Sequence, residues 1–297
     1  MKTLLSFFRL IDATVRVYTS EFLYYYRGKK NPIAVDVLIR KRAHVVERFL
    51  FHPDQYDARK KEEIVNELEV LLEENRSFSD KAYYRWAKRI LDEYKNGETC
   101  GICPNIFYNK VENFSYKIDR GNLLNLMKRR RSRRVFGQEP LTEEEKMIIV
   151  DAALHAPSSC NRQTLEFIFI DDREVKKFVA STIPGGKQFF AEAPILLVIV
   201  SYGVDYRYPD DRMVPWLDSA AGIQNIYLIC ETMGIGCCWG SYTSFGSVQN
   251  ERQVRKLLNI PDQYVITGCL ALGKTTQEVC YIPRAKPSER YHKNRMP

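Results

Sequence analysis

Pro194-Ile-Leu-Leu-Val-Ile-Val200 is a short, unbroken apolar run, and its reading decides the fold. At this length, and rich in β-branched residues, it reads as a buried strand. Helix and strand signals alternate around it. Upstream, Thr142 with Glu145 makes a capping box that opens a helix running to about His155. Phe167-Ile-Phe-Ile170 then reads as a short strand. Downstream, a long helix runs from Trp216 to about Met233, and Tyr264 to Leu272 reads as another strand. This alternation predicts a sheet covered by helices, α/β or α+β.

The first 95 or so residues differ. Val35, Leu38, Ile39, Val45, Val46, Phe49 and Leu50 fall on one helical stripe; so do Ile64, Val65, Leu68, Leu71 and Leu72, and then Tyr83, Ala87, Ile90, Leu91 and Tyr94. Pro32 and His52-Pro53 punctuate these stripes, and Asn96-Gly97 ends the last. The expected organisation is a helical unit over 1–95, a connector over 96–120, and an alternating domain over 121–297.

The chain has 297 residues, a net charge of +8 and a pI of about 9.0, a balance that suits anionic partners. Arg9 and Asp12 interrupt the apolar start, so no secretory signal is expected. No stretch is long enough for a transmembrane helix. The 8 cysteines are therefore expected as reduced thiols in a cytoplasmic protein. Cys100 and Cys103 have spacing that suits zinc or a redox pair, but a closed zinc site needs four ligands and no second pair is near in sequence.

Four further constellations carry chemistry. In Lys128-Arg-Arg-Arg-Ser-Arg-Arg134 six of seven residues are basic. Alone this is a solvated charge run or a nucleic-acid patch; its guanidinium groups and Ser132 hydroxyl equally suit a phosphate dianion. Ala156-Pro-Ser-Ser-Cys-Asn-Arg-Gln163 is either a polar turn or a set of amides able to pair with a planar heterocycle. Gly234-Ile-Gly-Cys-Cys-Trp-Gly-Ser241 is a helix stop or a place where backbone approaches a ligand closely. Leu272-Gly273 is followed by the basic pair Arg284 and Lys286, a solvated tail or further anion ligands.

Taken in order, with Ala193-Pro194 and the helix positions from Asp218 to Asn225, these motifs resemble the nitroreductase family over about 120–297. The resemblance implies an α+β nitroreductase-like fold: a central, mostly antiparallel sheet flanked by helices, here with the N-terminal helical unit added. It implies an oxidoreductase that passes hydride from NADH or NADPH through FMN to a small organic oxidant such as a nitro compound or quinone. It implies a homodimer with FMN in the interface. Arg130, Ser132, Arg284 and Lys286 would hold the phosphate and ribityl chain, with Arg131 and Arg134 near the ribityl hydroxyls or the pyrimidine edge. Pro157, Ser158, Ser159, Asn161 and Gln163 would line the ring from the partner subunit. Cys238, Trp239, Gly240 and Ser241 would pass close to the flavin N5. No protein side chain is assigned a catalytic role, since the flavin carries the electrons; no metal and no nucleic-acid partner is expected.

The apolar circumference of the 216–233 helix is a separate pointer to burial on more than one side. The N-terminal unit is expected to supply no FMN ligand; Tyr24, Tyr25, Tyr26 and Trp86 are aromatic enough to cover part of a substrate entrance. Two other readings compete: a specialised relative (a dehalogenase, a flavin-fragmenting enzyme or a biosynthetic dehydrogenase), and a non-catalytic basic binding protein.

Overall fold

The apolar run at 194–200 supplies an inner strand of a four-stranded sheet. The computed structural model of the chain describes residues 34–51, 56–97, 119–183, 187–203, 211, 213–241, 248–278 and 282–296. Its helices are α1 (Val35–Phe51), α2 (Ala58–Glu74), α3 (Ala82–Lys95), α4 (Arg120–Arg129), α5 (Glu143–Leu154), α6 (Arg173–Thr182), α7 (Lys187–Glu192), α8 (Val214–Thr232), α9 (Val248–Leu257) and the short α10 (Pro287–Arg290). The strands β1 (Leu165–Ile170), β2 (Ile195–Tyr202), β3 (Ile235–Ser241) and β4 (Tyr264–Lys274) pair in the order β1-β2-β4-β3, antiparallel throughout. The expected α+β architecture is the one observed.

Strand β2 is buried along its whole length because helices cover both of its faces. Leu196, Val198 and Val200 pack with Val179 of α6, Phe190 of α7 and Val254 of α9. Ile195, Leu197 and Ile199 pack with Ile149 and Ala153 of α5 and with Ile223, Ile226 and Cys230 of α8. Successive side chains alternate between two apolar environments, so the strand reads as continuous rather than alternating.

The capping box of α5 is present: the Glu145 N–H donates to Thr142 Oγ1 at 3.1 Å, and the Thr142 N–H donates to Glu145 Oε2 at 2.9 Å. Thr142→Ala is expected to lower stability by about 1 kcal/mol. The measurement is the denaturant midpoint at unchanged slope; an unmoved midpoint would show that the cap carries no weight. Helices α4 and α6 were not expected, although each opens on an aspartate cap: Asp119 accepts the Asn122 N–H at 3.3 Å, and Asp172 accepts the Val175 N–H at 2.8 Å.

Helices α1, α2 and α3 share their own core, which includes Ile39, Val46, Phe49, Leu68, Leu72 and Ile90. The stripes of the N-terminal region are thus buried against one another, and Trp86 packs on that core. Gly97, at φ +72°, follows α3 where Asn96-Gly97 was expected to end it. Val37 lies off the α1 stripe yet is buried, because it packs with Tyr202 at the end of β2 and Tyr264 at the start of β4, alongside Ala34 just before α1. It docks the helical unit onto the sheet. Pro32, His52, Pro53, the tyrosines at 24–26 and residues 98–118 of the connector, with Cys100 and Cys103, lie outside the described residues.

Among the described residues, no helix is long and apolar enough to cross a membrane, and no cluster of His, Cys, Asp and Glu could hold a metal. Cys160, Cys230, Cys237, Cys238 and Cys269 are free thiols.

Candidate functional site

After α4 the basic run crosses the outer edge of β3. Ser132 forms a parallel bridge with Cys237, and the Arg133 N–H donates to the Cys237 carbonyl at 3.0 Å. Gly236 allows this approach: a Cβ there would stand 2.9 Å from the Cβ of Arg133 and 2.9 Å from Thr275. Side chains of an extended segment alternate, and the alternation divides the run. Arg133 turns inward, 6% exposed, to pair with Glu231 at 3.2 Å and donate to the Gln277 carbonyl. Arg129 reaches the same Glu231 at 3.0 Å. Arg131 folds back to donate to the carbonyls of Lys128 and Arg130 at 2.5 and 2.8 Å.

Arg130, Ser132 and Arg134 face other partners. The Arg130 guanidinium lies 5.0 Å from the centroid of the Tyr227 ring. Ser132 Oγ is 3.3 Å from Tyr227 Oη, which also accepts the Trp239 N–H at 2.8 Å. The Arg134 guanidinium lies 5.6 Å from the Phe189 ring and its charge acts on the Cys238 thiol, which burial nonetheless pushes up. Cys238 packs into the core while Trp239 stays 39% exposed. Gly240 admits the aromatic packing behind it, since a Cβ would come within 2.7 Å of Phe190 and 2.8 Å of Ile183. Ser241 closes β3 opposite Gly268.

The second group is the loop 157–163 between α5 and β1. Cys160, Asn161 and Gln163 all take left-handed backbone conformations, with φ of 52°, 50° and 52°. Such residues persist only where their surroundings over-determine them. Here the Ser159 N–H donates to both oxygens of the Asp218 carboxylate, at 3.1 and 3.2 Å. The Gln163 N–H donates to Ser158 Oγ at 3.1 Å, and its amide to Asn161 Oδ1 at 2.7 Å. Arg162, only 3% exposed, donates to Ser159 Oγ at 2.8 Å and pairs with Asp211 at 3.2 Å. From the helical unit, Arg40 Nη1 donates to the Arg162 carbonyl at 3.4 Å. Pro157 and Gln163 are exposed.

These groups sit at opposite edges of the sheet: the loop leads into β1, and the basic segment borders β3. Three strand spacings separate those edges by about 14 Å. Helix α8 serves both, with Asp218 at the loop and Tyr227 at Ser132, roughly 13 Å apart along its axis. Arg284 and Lys286 are exposed on the C-terminal segment beyond β4. Tyr227, Arg162 and Glu231 were not foreseen as parts of the arrangement. A phenol in a helix otherwise so apolar was the available signal for Tyr227.

The arrangement is an α+β fold with a basic segment at one edge of its sheet and a polar loop at the other. The fold aligns with the NADPH:FMN oxidoreductase of Vibrio harveyi at a TM-score of 0.51 and 24% identity, over 59% of this chain and 77% of that one. An FMN-dependent nitroreductase from Clostridium difficile aligns at 0.51 and 25% identity, over 58% of this chain and 99% of its own. The model of the nitroreductase family matches residues 127–187 and 178–274. A protein of Archaeoglobus fulgidus with the provisional name NADH dehydrogenase/NAD(P)H nitroreductase is 31% identical over 156 residues, 52% of this chain and 86% of the relative. The chain belongs to the nitroreductase family.

Proposed function

We propose that this chain is an FMN-dependent oxidoreductase that takes hydride from NADH or NADPH and delivers it to a small organic oxidant, of the nitro or quinone type. The observation that carries the reading is the meeting of Arg130, Ser132 and the Trp239 backbone at Tyr227. That donor set fits the phosphate end of FMN: a cation with no carboxylate partner among the described residues, a hydroxyl, and the partly exposed Trp239. When bound, FMN supplies the hydride chemistry. The chain orients it and sets its electrostatics. Arg134, on the same segment but beside Phe189 and Cys238 at the other face of β3, is proposed to supply positive charge that favours a flavin that has gained electrons. Arg284 and Lys286 complete the proposed ligands of the phosphate and ribityl chain, and Arg131 is proposed to lie near the ribityl hydroxyls or the pyrimidine edge.

The loop of Pro157, Ser158, Ser159, Asn161 and Gln163 is proposed to meet the ring from a second copy of the chain. The separation of the two groups across the sheet supports this, since one chain offers them on opposite edges. The packed helices α5 and α8 support it too, leaving Met147 and Leu217 each 64% exposed. Residues 1–95 are proposed as a unit that supplies no FMN ligand and braces the loop from behind through Arg40, with 121–297 as the FMN-binding part. A cytoplasmic setting suits the free buried thiols.

The basic-binder alternative loses support from the pairing of Arg129 and Arg133 with Glu231, which breaks the run as a single solvated patch. Purified protein is expected to be yellow, to release one FMN and no FAD per chain, and to oxidise NADH or NADPH with nitro or quinone acceptors. A protein that stays colourless after reconstitution overturns the reading. Turnover confined to halogenated or biosynthetic substrates shifts it to a specialised relative.

A further inference from the structure

We infer that Tyr227 is a positioning residue for the FMN phosphate, its hydroxyl aiming the Ser132 hydroxyl and its ring seating Arg130. This rests on the function proposed above. Tyr227 is buried on α8, and its Oη has three polar neighbours. The Trp239 backbone N–H is a donor only, so at 2.8 Å the phenol oxygen must accept from it. The Cys237 thiol, kept protonated by its complete burial, is a weak partner in either role. The phenol proton therefore goes to the best acceptor left, Ser132 Oγ at 3.3 Å. Ser132 then accepts from Tyr227, and its own proton is turned outward.

An outward hydroxyl proton suits an ionised phosphate, whose oxygens accept hydrogen bonds. Burial also raises the phenol, so the chain of donors keeps its proton at ordinary pH. The ring acts differently. It holds the Arg130 guanidinium by its face at 5.0 Å, an attraction that leaves the positive charge available. Arg133, by contrast, is matched to Glu231. Tyr227 thus directs two donors toward one anion without competing for either.

The test titrates full-length protein, stripped of flavin, with FMN and with riboflavin, which lacks the phosphate. Tyr227→Phe keeps the ring and removes the hydroxyl. The Kd for FMN is expected to rise roughly tenfold, while that for riboflavin stays unchanged. Ser132→Ala is expected to weaken FMN similarly, and adding Tyr227→Phe to it to change little further. Equal weakening toward both flavins, or additive losses in the double variant, overturns the inference. If Tyr227→Phe lowers stability, the FMN-to-riboflavin ratio on the folded protein still decides. A wild-type protein that binds no FMN removes the proposed function and this inference together. A wild-type protein that prefers FMN, with the same preference in Tyr227→Phe, removes the inference alone.

Discussion

The Arg130→Ala, Ser132→Ala double variant is expected to purify folded and colourless. Each charge-assisted hydrogen bond to phosphate contributes roughly 1.5–3 kcal/mol, so losing both should weaken FMN by roughly 10² to 10⁴-fold. Neither side chain is buried in the core: Arg130 rests on a ring face, and Ser132, bridged through its backbone, loses one 3.3 Å hydroxyl contact with Tyr227. Thermal stability measured without flavin should therefore fall by no more than the roughly 0.5–1.5 kcal/mol of one hydrogen bond. Arg133→Ala is the informative contrast, because among the described residues it leaves the buried Glu231 with the exposed Arg129 alone for an ion-pair partner. That variant should lose stability, by up to about 3 kcal/mol, while keeping its preference for FMN. If the double variant retains wild-type flavin affinity, the phosphate has been assigned to the wrong edge of the sheet.

Leu217→Asp is expected to convert the protein from dimer to monomer and to abolish FMN retention with it. Leu217 is 64% exposed in the single chain, so an aspartate there costs the isolated fold little. Inside an interface it is a desolvated, unpaired charge, which costs several kcal/mol. The neighbouring helix α5 adds Met147, Ile148 and Leu154, also exposed. Sedimentation and bound-flavin content should fall together, because in the proposed dimer one copy would supply Arg130 and Ser132 and the other the loop 157–163. A monomer that still binds FMN stoichiometrically would show that one chain completes the site.

The layered core was plain in the sequence because its signals are local. The 194–200 run, the Thr142 cap and the long apolar helix each declare themselves within a few turns of chain. The 156–163 motif lies between a helix and a strand, as its sequence implied; that the basic run borders β3 was not foreseen. The roles of neighbouring arginines were not legible. Arg130 and Arg133 look alike in a basic run; what separates them is the alternation of an extended segment against Cys237, and a glutamate about a hundred residues away. Tyr227 was hidden for the same reason: its partners, Ser132 and Trp239, approach it from separate parts of the chain. The unexpected helices α7 and α9 are short segments whose identity depends on the sheet face they cover.

The loop 157–163 has a consequence for affinity that comes from entropy rather than contact. Its three left-handed residues are held by Asp218, by the buried Arg162 and, from the helical unit, by Arg40. Ordering a free loop around a ligand costs about 0.5–1.5 kcal/mol for each side chain immobilised. In this chain folding has already met much of that cost, so the loop is preorganised for whatever it receives. The helical unit can therefore tighten binding at a surface it need not touch, by narrowing the conformations from which the loop begins.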